Sequence, residues 1–307
     1  VLDVRDLTVA YGAASAVEGA TFHIDAGELA GVLGESGSGK STMARSLAGL
    51  LPRAARVVRG TVLFRGTDVL AEPESRLRAI RGAGISLIAQ EPALALNPVM
   101  RAGTQVAEVI RAHRRWSAAR CRSDAALVLE KLCGADAGRI FDAYPHQLSG
   151  GQRQRVAIAQ AVALEPALVV ADEPTASLDQ GMQAEVLALL AGLKRFGCAV
   201  LLITHNPGNL TGIADRLLVM YAGRIVEQGP FADVSAAPLH PYTRALLACA
   251  PGSRHRGGLL PTIPGAPPDP AALPPGCPFA PRCTELMDAC SRQDPTGLRV
   301  RCFHHAA

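Results

Sequence analysis

The 307-residue chain is poor in aromatic residues, which make up 4% of it. That is too few for a stacking platform of the kind that holds single-stranded nucleic acid. It also lacks a strong excess of one charge. Its 31 Lys and Arg face 27 Asp and Glu, leaving +4, so net charge does not point to a nucleic-acid partner. No apolar run reaches the ~18 residues of a membrane-spanning helix. The longest candidate, Val156 to Ala171, is interrupted by Gln160, Glu165 and Pro166. The opening residues, VLDVRDLTV, carry charges where a secretory signal needs an apolar stretch. Lysine is scarce: Lys40 is accompanied only by Lys131 and Lys194. These absences predict a soluble protein, or one held at a membrane by partners. What is present is 49% apolar residues, which excludes a disordered or fibrous chain. The length suggests about two domains, enough to bury a core.

Proline marks an internal boundary. Eleven of the 22 prolines fall from Pro251 onward, a density that regular helix or sheet does not tolerate. We read an α/β domain over residues 1–230, then an extension over 231–307 that begins with a short helix, PYTRALLACA, and ends in a loop-rich module. Four continuously apolar runs, ELAGVLG (28–34), GISLIAQ (84–90), ALVVAD (167–172) and AVLLIT (199–204), predict strands covered on both faces. DVRDLTVAYG and GTVLFRG alternate more and suit a half-exposed antiparallel sheet. Residues 92 to 165 read as mostly helical. Met182, Val186, Leu190 and Leu193 step at helical spacing and predict a core-facing stripe.

GESGSGKS, Gly34 to Ser41, follows a predicted strand and fits G-x-x-x-x-G-K-[ST] in full. Glycines let successive backbone N–H groups turn inward around phosphate oxygens, and the next helix aims its positive end at them. Lys40 is expected to reach the β- and γ-phosphates, and Ser41 to offer its hydroxyl to Mg²⁺. LVVADE ends in Asp172 and Glu173 at the carboxyl edge of a strand, where open α/β sheets place their ligands. Asp172 suits Mg²⁺; Glu173 suits the orientation and deprotonation of an attacking water.

LSGGQ at Leu148 to Gln152, followed by RQRVAIAQAVALEP, makes the chain resemble the ATP-binding subunit of ABC transporters over essentially its whole length. The resemblance implies a RecA-like α/β core with an antiparallel β subdomain and an α-helical subdomain at about 92–165. It implies nucleotide contacts from Gly34, Glu35, Ser36, Gly37, Ser38, Gly39, Lys40, Ser41 and Thr42, with Tyr11 stacked on adenine. It further implies that Gln90 joins Ser41 and Asp172 around Mg²⁺ and that His205 senses the γ-phosphate. Ser149, Gly150, Gly151 and Gln152 would close over ATP held by the other subunit of a head-to-tail dimer. Ser177, Leu178 and Asp179 match the loop that accompanies that interface. Asn206 stands where many family members carry Asp, and Ala171 is small for its position.

EPALALNPV, YPHQLSGG and HPYTRALL, then IPGAPPDP and GCPFAPRC, resemble the peptide/nickel importer branch. That branch implies two integral-membrane permeases, a second ATPase subunit, identical or related, and, indirectly, an extracytoplasmic solute-binding protein. The expected place is the cytoplasmic face of a bacterial membrane, with no nucleic acid involved. Short peptides are the first expectation for the cargo; nickel or another small solute is the second. A soluble ABC ATPase working on ribosomes or DNA is the rival of a different class, disfavoured by a single P-loop and a single LSGGQ. Arg101 to Arg122 holds six arginines and one acid, Glu108, and reads as a solvated helical face.

Of eight cysteines, Cys121, Cys133, Cys198 and Cys249 read as small buried hydrophobes. Cys277, Cys283, Cys290 and Cys302 crowd the tail at spacings x5, x6 and x11, without the paired C-x2-C of common zinc sites. Four thiolates suit a cubane iron–sulfur cluster, and the resembling branch implies [4Fe–4S] in such extensions. Zn²⁺, with His304 or His305 as a further ligand, and a plain reduced-thiol tail stay open as alternatives.

Overall fold

The computed structural model describes residues 1–91, 95–176, 178–249, 261–297 and 299–305. The chain divides into two units: Val1–Ala71 together with Leu202–Ala307, and Glu72–Leu201.

The first unit begins with the alternating segment. Strands β1 (Leu2–Tyr11) and β2 (Ala14–Ile24) form an antiparallel hairpin with Leu2 opposite Ile24 and Tyr11 opposite Ala14. On its other side β1 pairs with β4 (Ala55–Phe64), which ends in the short β5 (Thr67–Asp68), giving the order β2-β1-β4-β5. Leu2, Val4, Leu7 and Val9 are buried while Arg5 and Asp6 stay exposed. Each such side chain contributes roughly 1.5–3 kcal/mol on burial. The continuously apolar β3 (Leu29–Leu33) is buried throughout and runs parallel to β9 (Arg216–Tyr221), Ala30 opposite Arg216. Strand β10 (Arg224–Pro230) returns antiparallel to β9. Helix α1 (Lys40–Leu47) follows β3 directly after the glycine-rich loop. Two short helices, α8 (Phe231–Ala236) and α9 (Pro241–Ala248), lead into the tail.

The second unit opens with helix α2 (Glu74–Ile80) and contains the parallel pair β6 (Ile85–Ile88) and β7 (Leu168–Asp172), with Ile85 opposite Leu168. Between them in sequence lie α3 (Ala102–His113), α4 (Ala118–Cys133), α5 (Ala137–Asp142) and α6 (Gly150–Val162). Their apolar faces meet around Val106, Ile110, Ala125, Leu129, Phe141 and Val156. Gly103 is required there: a Cβ would come within 2.3 Å of the Phe141 ring. Helix α7 (Gln180–Gly192) follows β7, and the unit ends within strand β8 (Ala199–Thr204), which is buried along its length. The arginine-rich stretch is a solvated face on which Arg101, Arg111 and Arg122 pair with carboxylates. Arg101 and Arg122 both reach Asp142, and Arg120 lies 3.9 Å over the Trp116 ring.

Three of the four scattered cysteines are buried as expected; Cys249 is half-buried. Burial pushes the Cys198 thiol up to about 11 and raises Cys133 as well.

Candidate functional site

The phosphate loop joins β3 to α1 in the first unit. Gly39 sits before the helix with φ 99°, and a Cβ on it would lie 2.1 Å from the Ala16 carbonyl oxygen. Only glycine fits there. Gly34 is equally constrained, since a Cβ would meet the Met220 carbonyl oxygen at 2.3 Å. The Gly223 N–H donates to the Ser38 carbonyl at 3.0 Å, fastening the loop to the β9–β10 turn. No side chain caps α1, so the first-turn amides face the loop's concavity as donors for an anion. Lys40 is buried, and its Nζ donates to the carbonyls of Gly34 at 2.8 Å and Glu35 at 2.9 Å. Bound phosphate would draw this ammonium away from those carbonyls.

The same unit holds Tyr11, half-buried at the end of β1, and His205, exposed just after β8. Asn206 turns its side chain into the backbone, accepting from the Gly208 N–H at 3.0 Å.

In the second unit β7 delivers Asp172 and Glu173 at its carboxyl end, both buried. Asp172 Oδ1 is a buried oxygen with no hydrogen-bond partner, the kind of acceptor that a hard cation satisfies. Glu173 has φ 49°, a left-handed conformation unusual for a non-glycine residue. Gln90 is exposed two residues beyond β6.

The signature begins α6. Ser149 Oγ accepts from the Gln152 N–H at 3.2 Å and Gln152 Oε1 accepts from the Ser149 N–H at 3.1 Å, a reciprocal capping box. The Ser149 hydroxyl keeps its proton to donate outward. A Cβ on Gly150 would meet only Leu178 Cδ2, at 4.0 Å, whereas the end of the Met182 side chain covers Gly151. Asp179 caps α7 by accepting from the Met182 N–H at 3.0 Å. Ser177 lies outside the described residues, as do residues 92–94 of the loop after Gln90.

The tail of the first unit reaches the phosphate loop. Arg282 donates from Nη1 to Glu35 Oε2 at 2.7 Å and from Nη2 to Glu35 Oε1 at 3.0 Å. The Glu35 N–H donates to the Tyr242 hydroxyl at 2.9 Å. Tyr221, Tyr242 and Phe279 pack as a three-ring cluster with centroids 4.5 to 5.4 Å apart. Burial raises the Tyr242 hydroxyl, and the hydrogen bond to Glu35 raises Arg282, so both hold their protons at any physiological pH.

Comparison with known proteins decides the family. The family model for the ABC transporter matches residues 17–176, and that for the oligopeptide/dipeptide transporter C-terminal region matches residues 226–290. The chain belongs to the ABC transporter family. It is 43% identical over 300 residues to the oligopeptide transport ATP-binding protein OppD of Salmonella typhimurium, covering 96% of this chain and 89% of that one. It is 41% identical over 311 residues to the dipeptide transport ATP-binding protein DppD of Bacillus subtilis, covering 99% and 92%. Among solved structures it is similar to a dimeric, post-hydrolysis ATP-binding cassette bound to ADP and Pi. The TM-score is 0.66 at 28% identity, covering 75% of this chain and 99% of that one. The expected class is therefore correct: an ABC transporter ATPase with an antiparallel β part, a RecA-like α/β core and a helical part.

The cassette's tail carries the four clustered cysteines. Cys277, Cys283, Cys290 and Cys302 all line one cavity of about 10 Å³, together with His240 and His304. Burial pushes Cys277 up to about 11 and raises Cys283 and Cys302, so in this form they are neutral thiols. To hold a metal as thiolates they would have to lose those protons against the burial. Among the described residues no group of three or more His, Cys, Asp or Glu is arranged to hold a metal ion. The iron–sulfur expectation is therefore not supported: the four cysteines converge on one cavity without the arrangement of donors that a cluster needs.

Sequence reasoning missed the tail's grip on the loop. HPYTRALL and GCPFAPRC read as marks of a branch and carry no sign of that contact. One signal was available: Glu35 puts a carboxylate inside a loop built for anions, and such a charge needs a counter-ion close by.

Proposed function

We propose that this chain powers the uptake of short peptides as the ATP-hydrolysing subunit of a membrane importer. The observation that carries the cargo class is the match of residues 226–290 to the oligopeptide/dipeptide transporter C-terminal region. The OppD and DppD relatives, similar along nearly their full length, support it. The two matched spans, 17–176 and 226–290, support a nucleotide-binding domain over 1–230 and an extension over 231–307.

In this reading the phosphate-loop amides from Gly37 to Thr42 and the Lys40 ammonium hold the β- and γ-phosphates, and Tyr11 stacks on adenine. Ser41, Asp172 and Gln90 would hold Mg²⁺, which supplies neutralisation of phosphate charge. The bare Oδ1 of Asp172 supports that assignment. Glu173 orients the attacking water and takes its proton, and His205 contacts the γ-phosphate. Ser149, Gly150, Gly151 and Gln152 act on nucleotide held by a second ATPase subunit; the related cassette solved as a dimer supports this. In this reading coupling runs through permeases and the chain works at the cytoplasmic face of the membrane, which the OppD and DppD relatives support; among the described residues no helix is long and apolar enough to cross a membrane. The convergence of the four tail thiols on one cavity supports them as a ligand set for a [4Fe–4S] cluster, with Zn²⁺ as the competing occupant; the arrangement of the donors does not.

Affinity capture of the tagged chain from gently solubilised native membranes tests the reading. Recovery of two multi-span permeases, alone or with a second ATPase, is the expected result. Ribosomal or DNA-associated proteins in their place would overturn it.

A further inference from the structure

Glu35 is anchored at three points. Its carbonyl accepts from Lys40 Nζ at 2.9 Å, its N–H donates to the Tyr242 hydroxyl at 2.9 Å, and its carboxylate is gripped by both terminal nitrogens of Arg282. Two of the three anchors come from the C-terminal region, more than 200 residues further along the chain. The Arg282 side chain is 4% exposed and every part of its guanidinium is used. Nε donates to the Pro264 carbonyl at 2.8 Å, and Nη1 also reaches the Tyr221 hydroxyl at 3.3 Å. This is a built contact with fixed geometry, unlike a surface ion pair.

Its electrostatic sense is specific. A polyphosphate entering this loop meets a carboxylate on the loop's second residue. Unpaired, that charge would repel the ligand. Paired in a fork with a buried guanidinium, it is neutralised, and the loop is held in the shape in which its amides converge.

We propose that Arg282 and Tyr242 are positioning residues for the phosphate loop, so that the C-terminal region sets the cassette's affinity for ATP through Glu35. Arg282 supplies the counter-charge and Tyr242 the backbone anchor. Neither touches nucleotide. A loop that is competent for only part of the time binds with an affinity reduced by that fraction, so the cost of losing either residue falls on binding. This rests on the phosphate loop being the nucleotide site.

The test is a titration of the full chain with a fluorescent ATP analogue and Mg²⁺. The variants are Arg282→Met, Arg282→Lys, Glu35→Gln, Tyr242→Phe and the Arg282→Met/Glu35→Gln pair, each checked for folding by nucleotide-free thermal unfolding. Arg282→Met is expected to raise Kd roughly tenfold, the size of one charge-assisted contact. Adding Glu35→Gln should recover much of that loss, because it removes the exposed carboxylate; a purely structural role for Arg282 would not be relieved this way. Arg282→Lys should fall between Arg282→Met and wild type. Tyr242→Phe keeps the ring packed and should raise Kd roughly threefold, which carries the test if Arg282→Met does not fold. In the assembled transporter KM for ATP should rise with kcat nearly unchanged. A wild-type Kd in folded Arg282→Met, or in folded Tyr242→Phe if Arg282→Met does not fold, overturns the proposal. So does a double variant no tighter than Arg282→Met alone. Failure of the wild-type chain to bind the analogue would instead overturn the nucleotide-site reading beneath it.

Discussion

Glu173 occupies a backbone conformation that an L-residue enters at a cost. Its φ is 49°, and it follows a strand buried throughout. Residues held so are found where a side chain must be aimed. Replacing Glu173 with Gln keeps the shape and the backbone demand and removes the proton acceptor. General-base removal costs about 10² to 10⁴ in rate. Glu173→Gln should therefore bind Mg-ATP at near wild-type affinity and lose at least about a hundredfold in turnover with its permeases, accumulating the ATP-bound dimer on size-exclusion chromatography. Turnover within a few-fold of wild type would assign the base elsewhere. The place of Glu173 was legible in the sequence because LVVAD is apolar up to its carboxylates and reads as a strand that ends there. Arg282 was not, because nothing local separates a buried arginine from an exposed one. Its meaning lies in a partner at Glu35, and sequence spacing carries no information on that contact.

At the scale of elements, the two glycine-rich segments look alike in sequence and differ in what surrounds them. A Cβ on Gly39 would strike the backbone carbonyl of Ala16 at 2.1 Å and would also need φ 99°. Neither can relax without moving β2 or the start of α1. A Cβ on Gly151 would also have an atom at 2.1 Å, but that atom is the Cε of Met182, the free end of a flexible side chain. Gly39→Ala is therefore expected to lower Tm and raise the Kd for ATP by more than tenfold, given a left-handed penalty of about 1–2 kcal/mol before any clash. Gly151→Ala should cost less than about 1 kcal/mol of stability. Equal losses of Tm in the two variants would contradict this. Elements themselves were readable where one pattern dominates: AVLLIT is β8 residue for residue, and ALVVAD is β7 with one residue added. The stripe after Asp179 was read too broadly. Val186 and Leu190 are buried, while Met182 is turned to cover Gly151 and Leu193 lies beyond the helix.

At the scale of the whole molecule, the tail raises the question of what holds it. From Pro261 to His305 the described residues form only two single turns, Ala280–Arg282 and Asp288–Ser291, and one isolated bridge from Val300 to Glu227. Few backbone groups there are paired in regular structure, and a segment with so little core needs a staple. Arg282 on Glu35 is one. The four thiols meet around one cavity in the same tail, in an arrangement that does not by itself hold a metal ion. Ligand binding to the folded form alone stabilises it by mass action, and a metal on four thiolates does so strongly while releasing their protons. If a cluster forms there, the chain purified without oxygen carries iron and acid-labile sulfide in about equal amounts, close to four of each. Stripping the cluster should lower Tm by several degrees, and through Arg282 it should weaken ATP binding in the same direction as Arg282→Met. Zinc at one per chain without sulfide would keep the staple and change its identity. A metal-free chain with unchanged Tm and unchanged nucleotide affinity would leave the tail held by its protein contacts alone: Arg282 on Glu35, the rings of Tyr221, Tyr242 and Phe279, the Arg224–Asp294 and Arg244–Glu285 ion pairs, and the bridge from Val300 to Glu227.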